Sequence, residues 1–527
     1  MSNPKMKNLT RKIKKNGQYG KPLVSGILRA LIVLLLVVVQ VIFVVCLSLA
    51  LAKYTVYFYF LIEILGFSVL MYLMDERNSS SYKIAWSAII LVLPVTGAIM
   101  FMLWGGRSRN SKEDKKVLAK MNNSYKYNKE NKNDKESFNK EYPELKKLSN
   151  FLSKEKFPIY KNNNIEYYSM GDKAFRAMLE DIKKAKKFIL LEFFIVAEGE
   201  LWNNIHDLLL EKIKQGVEVK FLYDDFGTMF RTNKYFRYNL EQEGFEVRVF
   251  NPVHKYFDKL YFNYRTHQKI VVIDGNIGYT GGMNIADEYV NLKKRFGIWK
   301  DSAVRIEGEG VKGLTTTFLA MWDIAADGYS VDYNKYMPTA DFKSNNSYCH
   351  IVCDGPANNP SNPIEDLYFN MIMESQDYLY ITTPYLVIDD QMKKALVLTA
   401  KSGVDVRIIT PHIPDKKTVK LLTEYNYGRL LKAGVKIYEY KPGFIHAKNI
   451  MSENCAVVGT INMDFRSFNL HYECGAWMCD KKIVNDIKQD FKKTLEECIE
   501  ISYEEWKNRP IRVKIAQQLL KVIQVLF

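Results

Sequence analysis

Cysteine is scarce in this chain: 527 residues hold seven, an odd number, and none has the close paired spacing of a zinc cluster. Cys349 and Cys353 come nearest, and no second pair follows them. The pattern argues against a disulfide scaffold and for reduced thiols in or facing the cytoplasm. Histidine is equally sparse at seven, which leaves few positions for imidazole chemistry. Acidic residues are outnumbered, 59 against 75 Lys and Arg, for a formal net charge of +16. That excess suits an anionic partner, either nucleic acid or acidic lipid, and composition does not choose between them. Large apolar residues thin out from 107 to about 150, where Lys, Asn, Glu and Ser dominate. Such a stretch is expected to be a solvated linker or a charged helix.

Long apolar runs are concentrated in the N-terminal hundred residues. From Ile27 to Ala52 nearly every residue is apolar, with Arg29 at the edge and Gln40 in the middle. It is long enough to cross a hydrocarbon core of about 30 Å as a helix. A secretory signal would have a shorter apolar region and a cleavage site before further apolar sequence. Tyr54 to Met74 is a second candidate, aromatic-rich and carrying Glu63; a carboxylate there must face protein or water, or the segment must be partly interfacial. Ile84 to Trp104 is a third, with Pro94 and Gly97 inside it. Two basic clusters, Lys5 to Lys15 and Arg107 to Lys116, both argue for the cytoplasmic side. Three full spans would separate them, so the expectation is that only two segments cross fully.

Beyond about Phe157 short apolar strands alternate with amphipathic helices, which predicts an α/β layered domain. Phe188 to Val196 is a strand, Trp202 to Gln215 is helix-like, and Gly216 precedes a further strand, VEVKFLYDD. The same order recurs. Tyr378 to Tyr385 matches the first strand, the run after Gly403 echoes the run after Gly216, and the run after Gly434 echoes that after Gly244. Each half then carries one His-x-Lys, His267 with Lys269 and His446 with Lys448. Each pair is followed by glycine and asparagine, Gly281-Gly282-Met283-Asn284 and Gly459-Thr460-Ile461-Asn462.

Breaking a phosphodiester needs a nucleophile, an acid for the leaving alcohol, and positive charge on the non-bridging oxygens. One histidine from each half, brought together across a pseudo-twofold axis, supplies the first two. Lys269 and Lys448 supply charge, and the amides of Asn284 and Asn462 supply neutral donors. No metal or other cofactor is required. Residues two apart on a strand share a face, so each His and its Lys point into one pocket. His206, His254, His350, His412 and His471 lack such a partner and are expected on the surface or in the core. The same parity puts Asp274 on the opposite face from His267, where it would fix the strand's end. Asp301 and Glu473, at similar places in the two halves, are better placed to hold an imidazole by Nδ1 and leave Nε2 to react.

His-x-Lys-x-x-x-x-Asp followed by Gly-Gly-x-Asn, with a second copy that has Glu453 and Gly459-Thr460-Ile461-Asn462 at the matching places, resembles the phospholipase D superfamily from about Ile159 to Trp506. The runs Tyr264–Lys269, Gly281–Tyr289, Gly443–Lys448 and Gly459–Phe468 resemble bacterial cardiolipin synthases more specifically, as does the Leu-Pro-x-x-Gly within Ser81 to Gly106. The resemblance implies transfer of a phosphatidyl group from one phosphatidylglycerol to a second, with glycerol released through a phosphohistidine. It implies a first catalytic set of His267, Lys269 and Asp274 and a second of His446, Lys448 and the carboxylate at Glu453, with His267 as nucleophile. Glu453 departs from the family's Asp and lies one residue closer to the following glycine.

The expected architecture is therefore N-terminal transmembrane helices followed by an α/β phospholipase D-type fold of two pseudo-twofold-related halves. Its units are an anchor over 1–106, a charged linker over 107–156, halves over 157–340 and 341–510, and an amphipathic C-terminal helix over 511–527. The expected partners are phosphatidylglycerol and anionic membrane lipids rather than nucleic acid, at the cell membrane in a multi-pass protein with a cytoplasmic catalytic part. Hydrolysis to phosphatidic acid or use of another alcohol is the alternative, and a membrane-associated nuclease a remote one. The halves differ most at Pro252 to Arg265, where Lys255, Tyr256, Phe257, Lys259, Tyr261 and Phe262 suggest a loop that meets the lipid interface.

Overall fold

The computed structural model describes residues 55–74, 80–101, 112–252, 264–325 and 330–522, except 344 and 359–360, together with six positions between 35 and 46 and residue 524. Most of the first apolar run and the loop residues 253–263, Tyr256, Phe257 and Phe262 included, lie outside the described residues.

Helix α1 (Thr55–Leu73) has 19 residues and rises about 28 Å, with Glu63 near its middle. Pro94 cannot continue the ladder of the helix before it, so the third apolar run becomes two pieces, α2 (Ser80–Val92) and α3 (Pro94–Met100). Gly97 allows the turn-back: a Cβ there would stand 2.7 Å from the Ile89 carbonyl oxygen. Among the described residues no helix is long and apolar enough to cross a membrane.

Of the two expectations for this stretch, solvated linker or charged helix, residues 112–154 take the second, as helices Lys112–Tyr125, Lys132–Glu141 and Lys146–Lys154. Their few apolar residues fall at helical spacing, so Leu145, Leu148 and Leu152 make one face that is buried against the second half. Phe138 is fully buried, edge-on to Tyr348 and Trp477.

The catalytic body is two sheets with one topology. The first contains β1 (Asn163–Tyr168), β2 (Phe188–Phe193), β3 (Glu218–Asp224), β4 (Glu246–Phe250), β5 (Ile270–Ile273), β6 (Ile277–Gly281) and β7 (Ala303–Gly308), in the order β1-β7-β6-β5-β2-β3-β4. The second contains β8 (Cys349–Asp354), β9 (Tyr378–Thr382), β10 (Asp405–Pro411), β11 (Lys436–Tyr440), β12 (Asn449–Met451), β13 (Ala456–Gly459) and β14 (His471–Met478), in the order β8-β14-β13-β12-β9-β10-β11. Strands Ile159–Tyr160 and Cys498–Ile501 extend its two edges. In both sheets the last three strands in spatial order are parallel and the rest antiparallel. The four parallel pairs need crossovers, which helices Glu200–Lys214 and Phe236–Gln242 supply in the first sheet and Asp390–Lys401 and Lys417–Lys432 in the second.

The sheets share a core: Leu190, Val272 and Ile306 of the first are in one buried cluster with Ile409, Val458 and Ala476 of the second. Helices cover the outer faces, giving a four-layer body. Two short exchanges stitch the halves together. Arg265–Thr266 runs parallel to the start of β14, and Gly443–Ile445 runs parallel to Ile298–Lys300. Each His-x-Lys therefore begins one residue after its chain has paired with the opposite half.

Candidate active site

That exchange decides which carboxylate meets which imidazole. The His267 amide donates to the Tyr472 carbonyl at 2.9 Å, and the His446 amide donates to the Lys300 carbonyl at 2.7 Å. Each ring is thereby held beside the carboxylate that follows in the other half. His267 Nδ1 lies 2.9 and 3.1 Å from the two oxygens of Glu473, and His446 Nδ1 lies 2.7 Å from Asp301 Oδ2. With carboxylate acceptors, both rings carry their proton on Nδ1 and present Nε2 as the free nitrogen. Both carboxylates are fully buried and are themselves fixed. Thr460 Oγ1 donates to one Glu473 oxygen and Ser467 Oγ to the other at 2.7 Å. The Ser302 amide donates to Asp301 Oδ1 at 2.9 Å. Gly282 is needed for this approach, because a Cβ there would stand 2.0 Å from Asp301 Oδ1.

Lys269 and Lys448 lie on the same side as their histidines and are buried. Lys269 Nζ donates to the His267 carbonyl at 2.5 Å, and Lys448 Nζ to that of His446. Burial lowers Lys269 to about 7 and Lys448 to about 8, despite the opposing pull of Glu473 and Asp301. Burial and then Lys269, Lys448 and His446 hold His267 well below the usual imidazole range. Burial and Lys448 take His446 to about 4. The histidine of each half thus senses the lysines of both halves, as one shared site requires.

The asparagines differ. The Asn284 amide is engaged in bracing, accepting from the Ile195 amide at 3.0 Å and donating to Tyr289 Oη at 2.8 Å. Asn462 is buried, and its Oδ1 has no partner among the described residues. Asp274 and Glu453 do not reach the imidazoles. Asp274 accepts from the amides of Lys186, Lys187 and Phe188 at 2.8–2.9 Å, closing the turn into β2. Glu453 accepts from the Gln376 and Asp377 amides at 2.9 and 3.4 Å, at the matching turn into β9.

Several site residues were not singled out in the sequence. His471, expected on the surface or in the core, packs its ring 5.5 Å from that of His267; Trp299 does the same to His446 at 5.2 Å. Both lie two residues before the orienting carboxylate, and that shared offset is the signal that finds them. Ligand atoms of His267, His471 and Glu473 fall within 4.8 Å of one another. Both Glu473 oxygens already accept hydrogen bonds, so the grouping is accounted for without an ion. Beneath His267, Thr266 Oγ1 donates to buried Glu192 at 2.5 Å and Arg265 pairs with buried Asp224 at 3.2 Å. Burial pushes Glu192 up to about 8. Lys416 is within electrostatic reach of His267, and next to it in sequence Asp415 accepts from Tyr385 Oη at 2.6 Å.

Two similar sheets, each delivering one His-x-Lys to a common pocket, define an enzyme of the phospholipase D type. A family model described as cardiolipin synthase, PLD-like domain, matches residues 178–322 and 368–495, and one described as phospholipase D-nuclease N-terminal matches 56–106. An uncharacterized protein of Streptococcus mutans is 36% identical over 474 residues, spanning 86% of this chain and 98% of that protein. The major cardiolipin synthase of Bacillus subtilis is 33% identical over 474 residues, spanning 88% and 97%. The cardiolipin synthase of Oceanobacillus iheyensis is 33% identical over 460 residues, spanning 85% and 94%. The crystal structure of a Haemophilus influenzae phosphatidylserine synthase superposes with a TM-score of 0.55 at 15% identity, over 70% of this chain and 97% of that one, a likeness of fold. The chain belongs to the cardiolipin synthase family.

Proposed function

We propose that the protein transfers a phosphatidyl group between two phosphatidylglycerol molecules by a two-step displacement. The observation that carries this reading is the crossed pairing of each imidazole Nδ1 with a carboxylate of the opposite half. In the first step His267 Nε2 attacks phosphorus, the P–O bond to the glycerol headgroup breaks, and His446 gives that oxygen a proton. In the second, neutral His446 takes the proton of a hydroxyl on the second phosphatidylglycerol. That oxygen displaces His267 from phosphorus to form cardiolipin. Lys269 and Lys448 bear on the non-bridging oxygens, and the negative phosphodiester offsets their charge and raises His446 toward the protonated form the first step needs. Asn462, whose Oδ1 is without a partner among the described residues, would offer its Nδ2 as the neutral donor; Asn284 shapes the pocket wall.

The apolar N-terminal runs hold the enzyme at the membrane, with two segments crossing and the catalytic part on the cytoplasmic side. Purified enzyme given phosphatidylglycerol should yield cardiolipin and glycerol in equal amounts; phosphatidic acid as the main product would make it a hydrolase. His267→Ala and His446→Ala should each reduce transfer at least about a thousandfold. Labelled lipid trapped on His446 rather than His267 would reverse the two roles.

A further inference from the structure

Among the described residues an apolar stripe lies exposed on the helix Ile511–Val522. In helix Ile511–Val522, Ile511, Ile515 and Leu519 are 71%, 55% and 67% exposed. Their spacing of four puts them in one row along the helix. The opposite face is docked. Gln517 is fully buried and accepts from Arg509 Nε at 2.6 Å, and Leu520 packs on Val387, Val419 and Leu422. The helix is therefore fixed in rotation, with its stripe turned outward. Its charges are all of one sign: Arg512 lies on one edge of the stripe and Lys514 and Lys521 on the other, with no acidic residue between Ile511 and Val522.

Its neighbours give the stripe a direction. The helix packs along Lys417–Lys432 and against α2. The first of these follows Lys416, which His267 senses. The second buries Ala85 against Phe465 and Leu470, just after Asn462, and leaves Ile84, Leu91 and Val92 exposed. Three elements thus meet on the side of the second half that carries Lys416 and the segment after Asn462, and two of them present apolar side chains outward.

We infer that helix Ile511–Val522 is an interfacial anchor. It lies in the headgroup region of an anionic bilayer with Ile511, Ile515 and Leu519 among the acyl chains and Arg512 and Lys514 on lipid phosphates, and so holds the catalytic body close to its substrate. Lipid fits better than a second copy of the chain. A twofold contact through this face would bring its cations toward their own equivalents, whereas a phosphatidylglycerol surface complements them.

The test uses full-length enzyme reconstituted into vesicles of phosphatidylglycerol and phosphatidylcholine. Combined Ile511→Ser, Ile515→Ser and Leu519→Ser should lower transfer on vesicles by about tenfold or more. Transfer with a soluble short-chain phosphatidylglycerol and the melting temperature should be unchanged. Amide exchange over 511–522 should slow on phosphatidylglycerol vesicles but not on pure phosphatidylcholine, and Arg512→Gln with Lys514→Gln should abolish the difference. Equal losses on both substrates with a lowered melting temperature would show that the stripe is structural packing. A dimer dissolved by the Ser variant would identify a second copy as the occupant, and unchanged vesicle activity and exchange would remove the anchor. The exchange measurement needs no turnover, so failure of the proposed transfer reaction would be seen separately.

Discussion

Four carboxylates follow the two histidines closely in sequence or topology, and only two of them touch imidazole. Glu473 and Asp301 hold Nδ1, whereas Asp274 and Glu453 close turns. Glu473→Gln should therefore cost about a hundredfold or more in turnover, because an amide can donate to Nδ1 and stabilise the wrong tautomer. Glu453→Gln, which keeps an acceptor for the Gln376 amide, should cost less than about tenfold. The reverse ranking in measured kcat would mean that the turn carboxylates act on the histidines. The lysines give a second prediction. In the free enzyme Lys269 is lowered to about 7 and Lys448 to about 8, so each loses its charge as pH rises through those values. The kcat/KM for phosphatidylglycerol should fall across that window. Lys269→Arg keeps a cation at every accessible pH and should shift the fall upward. A profile that Lys269→Arg leaves in place would assign it to another group.

At the scale of elements, the segment 112–154 shows what composition leaves open between a spacer and a packed, charged helix. Averaged over the stretch it is polar and charged; taken position by position, Phe138, Leu145, Leu148 and Leu152 recur on the faces that meet the second sheet. A charged exterior and a narrow apolar stripe give the same average as a solvated spacer, and only periodicity separates them. His350 adds a polar tie, bonded through Nδ1 to the Phe157 carbonyl and through Nε2 to Ser149 Oγ, both at 2.8 Å. Phe138→Ala should destabilise the protein by about 3–5 kcal/mol, as loss of a fully buried ring does. Calorimetric unfolding unchanged by that substitution would restore the spacer reading.

At the scale of the whole molecule, the basic runs on either side of the apolar segments set the expected orientation. Protease added outside sealed, right-side-out membranes should leave the catalytic body intact and cleave it after permeabilisation; digestion from outside would place it on the other face. The sequence by itself determined the duplicated strand order, the shared face of each His and Lys, and the departure of Asp274 from that face, because strand period and repetition are local properties of the chain. Only the tertiary structure decided that Glu473 serves His267, 206 residues away, and that Asp301 serves His446 across 145. It alone also brought His471 and Glu192 beside the first motif. Those pairings follow from two short segments crossing between facing sheets, and a contact made by packing distant strands leaves no period in the chain to read.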